Sequence, residues 1–390
     1  LKGCKHINKG VALTAKAEPE TSKLFEKITS YKNLEWAYEK TLKNGGRHAS
    51  EAVKYKSFEV SNLRTLRKDL LEGRYEFGTY RRKIVYEPKQ RVVDVPQIQD
   101  KIVQHAVHNV IKDIFFKSFI HDSYACIDGK GTHKATTRLH HFLRKAAWQF
   151  GDKATIIKID IERFFYSIDR SLLKKELPKR IKCTKTLKLI ERIIDSARQI
   201  SERGIPLGNP LSHILANVAM NPLDQYAKRK LGLKYYLRYA DDIFIITKDL
   251  DEARRTLAEL ETFIKERLNL KCNEKKTKIF PVNQGVNALG FKIHKTHMLL
   301  RDRSKRNIKR KTKKMQHLVR DNRMPKEKAE QILNSWYGHA SYASSENFVD
   351  RLIKRNDYIY KEGKTLKVDI QKASESHDLQ VKRQIRDVPV

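Results

Sequence analysis

Two spacings of apolar residues alternate along this chain and divide it into helices and strands. From Leu24 to about Glu72, Leu and Phe recur at helical spacing among charges, in "LFEKITSYKNLEWAYEKTL" and "FEVSNLRTLRKDLLEG", which predicts amphipathic helices. "YRRKIVYEPKQRVVDVP" alternates in the strand manner about a turn at Pro88, and "QDKIVQHAVHNVIKDIFFKSFI" returns to helical spacing. "KATIIKIDIERFFYSID" predicts a strand over Thr155 to Ile161, with Asp160 near its end and a short helical stretch after it. The Gly- and Pro-rich "RGIPLGNP" introduces a long apolar helix, "LSHILANVAMNPLDQYAKRKL". In "KYYLRYADDIFIITKD" two runs rich in β-branched and aromatic residues flank a short polar break, so a tight hairpin is predicted with Asp241 and Asp242 at its turn. A helix with a charged outer face ("LDEARRTLAELETFIKERLNL"), a strand pair ("GVNALGFKIH") and a helical, aromatic-bearing stretch ("KAEQILNSWYGHASYAS") follow, and no internal repeat is visible.

Charge changes the picture. Among 390 residues, 82 Lys and Arg stand against 46 Asp and Glu, a net charge of +36, and 39% hydrophobic content is enough for a substantial core in two or three subdomains. So large an imbalance concerns partners rather than fold, and a polyanion is the expected one. No apolar run reaches the roughly 20 residues that span a bilayer, and "LKGCKHINKG" does not read as a secretory signal, so nucleic acid is favoured over membrane. Cys4, Cys126, Cys183 and Cys272 lack C-x-x-C spacing, which argues against a zinc site or a disulfide framework and fits a reducing cytoplasm. The basic run "RDRSKRNIKRKTKK" is compatible with a solvated helix face. Beside a polymer-handling site it reads as a backbone clamp, through Arg301, Arg303, Lys305, Arg306, Lys309, Arg310 and Lys313.

Adjacent carboxylates at a turn are an ordinary Asp-rich turn or a divalent-metal site. The second reading gains from Asp160, a third carboxylate at the end of another predicted strand. Three carboxylates meeting at one point suit two-metal phosphoryl transfer, in which one ion activates an attacking hydroxyl and the other holds a triphosphate.

The order of these motifs resembles reverse transcriptases. "IIKIDIERFFYSID" resembles the motif with the first catalytic Asp, "YADD" the Y-x-D-D box, "GIPLGNPLSHILAN" the loop and helix beneath the incoming nucleotide, "LNLKCNEKKTKI" the next motif, and "VNALGFKI" the primer-grip hairpin. With "YEPKQRVV", "SYACIDGKGTHKA" and "LNSWYGHA", the resemblance extends over roughly Leu24 to Leu352. It is closest to the reverse transcriptases of diversity-generating retroelements, with defence-associated and group II intron enzymes as relatives. Ala288 stands where an aromatic is more usual, and His213 follows Ser212 where that family continues Ser-Gln.

The resemblance implies an α+β right-hand polymerase. Residues 1–22 would be a flexible segment, 23–150 fingers, 151–298 palm, 299–362 a basic helical thumb and 363–390 a charged tail. It implies RNA-directed DNA synthesis with two Mg²⁺ (Mn²⁺ in vitro) and dNTPs. Asp160, Asp241 and Asp242 would be ligands, with the Ile161 carbonyl completing a metal shell. Phe165 would lie under the sugar, or be plain core. Lys89, Arg91 and Lys276 would meet the triphosphate, Leu289 and Gly290 the primer, and Leu207-Gly208 the nucleotide, Leu207 standing where a Gln would tighten base discrimination. Expected partners are a template RNA from the same locus, its cDNA, and an accessory protein or further copies of the chain. A defence enzyme copying a noncoding RNA and a catalytically idle RNA-binding protein are the competing readings.

Overall fold

Leu24, Phe25, Ile28, Leu34, Leu63, Leu66 and Leu70 are all buried, as their helical spacing demands. They belong to helices α1 (Leu24–Thr29), α2 (Tyr31–Gly45) and α3 (Val60–Glu72) of a computed structural model that describes residues 23–45, 60–86 and 90–355. An antiparallel hairpin follows, β1 (Arg81–Val85) and β2 (Arg91–Val95), with Arg81 opposite Val95 and Val85 opposite Arg91. Helix α4 (Ile98–Phe116) packs on α1 and α2. Helix α5 (Thr132–Phe150) buries Ala135, Leu139, Phe142, Leu143 and Ala146 along one face and leads into β3 (Thr155–Asp160).

Short helices α6 (Phe164–Ser167) and α7 (Arg170–Glu176) and the longer α8 (Thr184–Ser196) come next. Helix α9 (Ser212–Gln225) is continued by one π-helical turn, Tyr226–Lys230. The predicted hairpin is β4 (Tyr235–Tyr239) and β5 (Asp242–Thr247), followed by α10 (Leu250–Leu268). That helix starts where Asp249 accepts from the Glu252 amide at 2.8 Å and the Glu252 carboxylate accepts from the Lys248 amide at 2.8 Å, a reciprocal cap. It stops at Asn269, whose φ of 52° is left-handed. Strand β6 (Lys278–Pro281) joins the main sheet, and β7 (Val286–Ala288), β8 (Phe291–Ile293) and β9 (Met298–Leu300) form a second, three-stranded one. The strand pair expected from "GVNALGFKIH" is therefore extended by a third strand. Helices α11 (Asp302–Arg320), α12 (Lys326–Ala340) and α13 (Glu346–Lys354) complete the described chain.

The main sheet is antiparallel in the order β4-β5-β3-β6. Because strand side chains alternate, Ile157, Ile159, Tyr236, Ile243 and Ile245 join the core formed with α1–α4 and α6–α10. Ile156, Tyr235, Leu237, Phe244 and Ile246 face a second core with α5, the small sheet and α11–α13. Both faces are covered, which explains why "IFII" is continuously apolar rather than alternating. Among the described residues no helix is long and apolar enough to cross a membrane, and Cys126, Cys183 and Cys272 are free thiols.

Candidate active site

The three predicted carboxylates converge through strand pairing. Asp160 is the last residue of β3 and lies directly opposite Asp242, the first of β5, so their Cα atoms are roughly 4.5–5.5 Å apart and their side chains share a face. Tyr239 pairs with Asp242 on the other side, leaving Ala240 and Asp241 as a two-residue turn. Ala240 has φ of +54°, which costs a Cβ-bearing residue about 1–2 kcal/mol. Arg238 braces this turn by donating from Nη1 to the Ala240 carbonyl at 3.0 Å.

Arg238 is fully buried, and its guanidinium grips Asp224 at 2.8 and 2.7 Å while also reaching Asn217 and Ser123. The Tyr236 hydroxyl donates to the same Asp224 carboxylate at 2.7 Å. Sequence reasoning missed this network, although an Arg inside "YYLRY" was the signal: a buried charge in a strand needs a partner.

A second antiparallel contact finishes the site. Ile161 bridges Cys272, the Asn273 amide donates to the Asp160 carbonyl at 2.7 Å, and the Glu162 amide donates to the Lys271 carbonyl at 2.8 Å. Neither bond uses the Ile161 carbonyl. β3 therefore ends at Asp160, one residue earlier than expected. The docked 271–277 loop carries Lys276 to Asp160, with Nζ 2.7 Å from Oδ2. That hydrogen bond and the three surrounding carboxylates raise the Lys276 pKa. Lys158, not foreseen, lies 3.5 Å from Asp242 Oδ1 and donates to the Asn287 carbonyl of β7 at 3.2 Å. Burial, then the Asp242 carboxylate, then Asp160 push Asp241 up to about 6, against the pull of Lys276. Three carboxylates with two lysines make an electrostatically frustrated cluster that a divalent cation would relieve.

Among the described residues no three His, Cys, Asp or Glu side chains stand as a preformed metal cage. An open carboxylate set is nonetheless chemically suited to Mg²⁺, which keeps several waters and takes one or two carboxylates together with substrate phosphates.

A family model described as "Reverse transcriptase (RNA-dependent DNA polymerase)" matches residues 82–293, more than half of the 390. The chain belongs to the reverse transcriptase family. It is 27% identical over 290 residues to the protein YkfC of Escherichia coli K12, covering 62% of this chain and 72% of YkfC. It is 23% identical over 307 residues to the group II intron-encoded protein LtrA of Lactococcus lactis subsp. cremoris, covering 60% of this chain and 50% of LtrA. A third relative is the retron Ec73 reverse transcriptase of E. coli, 27% identical over 237 residues, with 56% and 67% covered. The chain thus spans only half the length of LtrA. Its α+β architecture is that of a right-hand polymerase.

The other predicted positions fall around the carboxylates at different depths. Gly208 lies against β2, where an added Cβ would sit 2.4 Å from the Asp94 carbonyl oxygen and 3.2 Å from Val93 Cγ1, so the loop approaches the β1–β2 hairpin too closely for a side chain at this position. Gly204 (φ +85°) likewise presses on the Phe165 and Tyr166 backbone, and the Ile205 amide donates to the Phe165 carbonyl at 2.8 Å. Phe165 is half-buried, with edge-on contacts to Phe164 and to His213. The Tyr166 hydroxyl donates to the Val92 carbonyl at 2.7 Å, a further tie between α6 and the hairpin. Arg91 is exposed at the start of β2, and Lys89 lies outside the described residues.

Leu289 (φ +51°) and Gly290 (φ +97°) form the two-residue turn between β7 and β8, and both signs match a type I′ hairpin. Of the basic run, Arg303, Arg306, Lys309, Arg310 and Lys313 are exposed on α11 while Arg301 and Lys305 are half-buried. Ile308, Thr312 and Met315 bury the opposite stripe, and Lys305 and Lys309 lie over the Phe348 ring at 5.8 and 5.6 Å.

Proposed function

We propose that the chain is an RNA-directed DNA polymerase whose reaction centre is Asp160, Asp241 and Asp242. The observation that carries this is the register: Asp160 opposite Asp242, Asp241 on the adjoining turn, and Lys276 on Asp160. Two Mg²⁺ ions held by these carboxylates, with the Ile161 carbonyl, would neutralise the triphosphate and lower the pKa of the primer hydroxyl. The chain's own residues would then position the reactants. Lys276 would move from Asp160 to a phosphate oxygen, and Arg91, with Lys89, would approach the triphosphate from the hairpin. Phe165 would lie beneath the sugar and exclude a 2′-hydroxyl. The Leu289-Gly290 turn would hold the primer end, and the exposed face of α11 would follow the duplex backbone. In this reading residues 23–150 act as fingers, 151–298 as palm and 299–362 as thumb.

The finer proposal is a polymerase copying an RNA from its own locus with relaxed base discrimination, as in diversity-generating retroelements. Leu207 supports it, since an aliphatic side chain beside Gly208 supplies no amide to the nucleotide. Primer extension on an RNA template with Mg²⁺ and dNTPs tests the core of the proposal. Wild type should yield DNA, and Asp160→Asn and Asp242→Asn should each lower the rate by at least about a thousandfold. Equal extension by wild type and both variants would sink it.

A further inference from the structure

Trp148 is 89% exposed, the largest exposure among the described large apolar side chains. It stands near the end of α5, whose inner stripe is buried against the main sheet. The outer stripe presents His141, Arg144, Lys145 and Trp148. Together with Lys295 and Thr296 of the β8–β9 turn they line a cleft of about 490 Å³. Arg144 and Lys145 have no ion-pair partner among the described residues, and Lys295 has only the exposed Asp152, at 3.7 Å.

The cleft is separate from the reaction centre. Thr132, at the first turn of α5, touches the Tyr239 hydroxyl at 3.1 Å. Trp148 is sixteen residues further along the same helix, roughly 24 Å at 1.5 Å per residue. The catalytic carboxylates and this cleft therefore lie near opposite ends of one rigid element.

An indole left in water beside cations suits a ligand with flat apolar faces joined by negative charges. Single-stranded nucleic acid has that chemistry: bases stack on the aromatic ring and phosphates meet Lys and Arg. An anionic membrane fits less well, because Trp148 is the one large apolar side chain lining the cleft, with only the small Ala147 beside it. We propose that Trp148, Arg144, Lys145 and Lys295 form a docking site for a single-stranded segment of RNA outside the stretch being copied. The choice of RNA rests on the proposed function, but the site's test requires no polymerisation.

The test follows Trp148 fluorescence in the full chain, with the main groove first filled by a short primer–template duplex. Oligouridine of about 16 nucleotides, the upper end of a single-strand site, is then added. Wild-type emission should fall saturably, and Trp148→Phe should lack that component. Arg144→Glu/Lys145→Glu should need about tenfold more RNA, and its salt slope should flatten by about 1.4, for two lost phosphate contacts at about 0.7 each. Extension of the short duplex should be unchanged in these variants, which shows that they fold. The site is refuted if Trp148→Phe loses the same emission component as wild type, or if the charge-reversed variant titrates like wild type. Quenching by phosphatidylserine vesicles or polyglutamate but not by oligouridine would also overturn it, in favour of a membrane or an acidic protein. If wild type extends no primer yet Trp148 still titrates with RNA, the polymerase reading fails and this site stands.

Discussion

Replacing Asp241 by Asn should make the metal-free protein more stable while removing its activity. The carboxyl is lifted from 3.8 to about 6 by burial and by Asp242 and Asp160, so the folded state binds that proton more tightly than the unfolded chain does. The sign follows by linkage: the folded state gains stability from this proton in full below pH 4 and loses the gain as pH rises through 6. Near neutral pH the ionised carboxylate is therefore a penalty. About 2 units at 1.36 kcal/mol each set a ceiling of about 3 kcal/mol. Asp241 is half-buried rather than sealed, and solvent screening reduces this to about 1–2 kcal/mol.

Asn keeps the shape and discards the charge, so in EDTA at pH 7.5 the variant should melt a few degrees above wild type. The gap should close as pH is lowered from 6 to 4, where wild type takes up the proton. Adding Mg²⁺ should raise the melting temperature of wild type more than that of the variant, since a ligand stabilises only the state that binds it. Circular dichroism melts across this pH series, with and without Mg²⁺, make the comparison. A variant no more stable than wild type in EDTA at pH 7.5 would refute the electrostatic account. A pH-independent gain would refute it too, by assigning the effect to relief of strain at the Ala240 turn.

Arg238→Met should leave Asp224 buried without its cation and cost about 3–5 kcal/mol; an unchanged denaturation midpoint in urea would contradict that. Gly208→Ala places a Cβ against the Asp94 carbonyl oxygen, so the Leu207-Gly208 loop and the β1–β2 hairpin must separate. Primer extension should fall roughly tenfold in kcat/KM for dNTP with little change in melting temperature. Lys158→Met removes the cation 3.5 Å from Asp242 and its bond to the Asn287 carbonyl, which should lower primer extension roughly tenfold with all three carboxylates present; unchanged extension would show that Lys158 has no part in holding the site. Leu207→Gln should lower the substitution frequency in cDNA read by deep sequencing, and equal error spectra would remove Leu207 from base discrimination.

Features with a local signature were legible in the sequence. The Asp241-Asp242 hairpin, the β3 strand and α10 each announce themselves within twenty residues, through runs rich in β-branched and aromatic residues or through period-3.6 apolar spacing. Helix α5 also carries such a signal, with Leu139, Phe142, Leu143 and Ala146 spaced for one face. What no local pattern could supply is pairing between distant segments. Asp160 meets Lys276 across 116 positions, and Lys158 meets Asn287 across 129.

The site depends on such pairings rather than on its motifs taken singly. A one-residue slip of β3 against β5 would send Asp160 to the opposite face from Asp242 and place Ile159 beside it. The long apolar stretches on both strands, buried on both faces, would tolerate that slip more readily than an alternating strand would. Three polar tethers resist it: the Ile161–Cys272 bridge, Lys158 spanning from Asp242 to β7, and the Arg238–Asp224 pair that fixes β4. Contacts between distant segments thus keep the carboxylates in register. Substituting them should impair catalysis through geometry while every member of the Asp160, Asp241 and Asp242 set is still present.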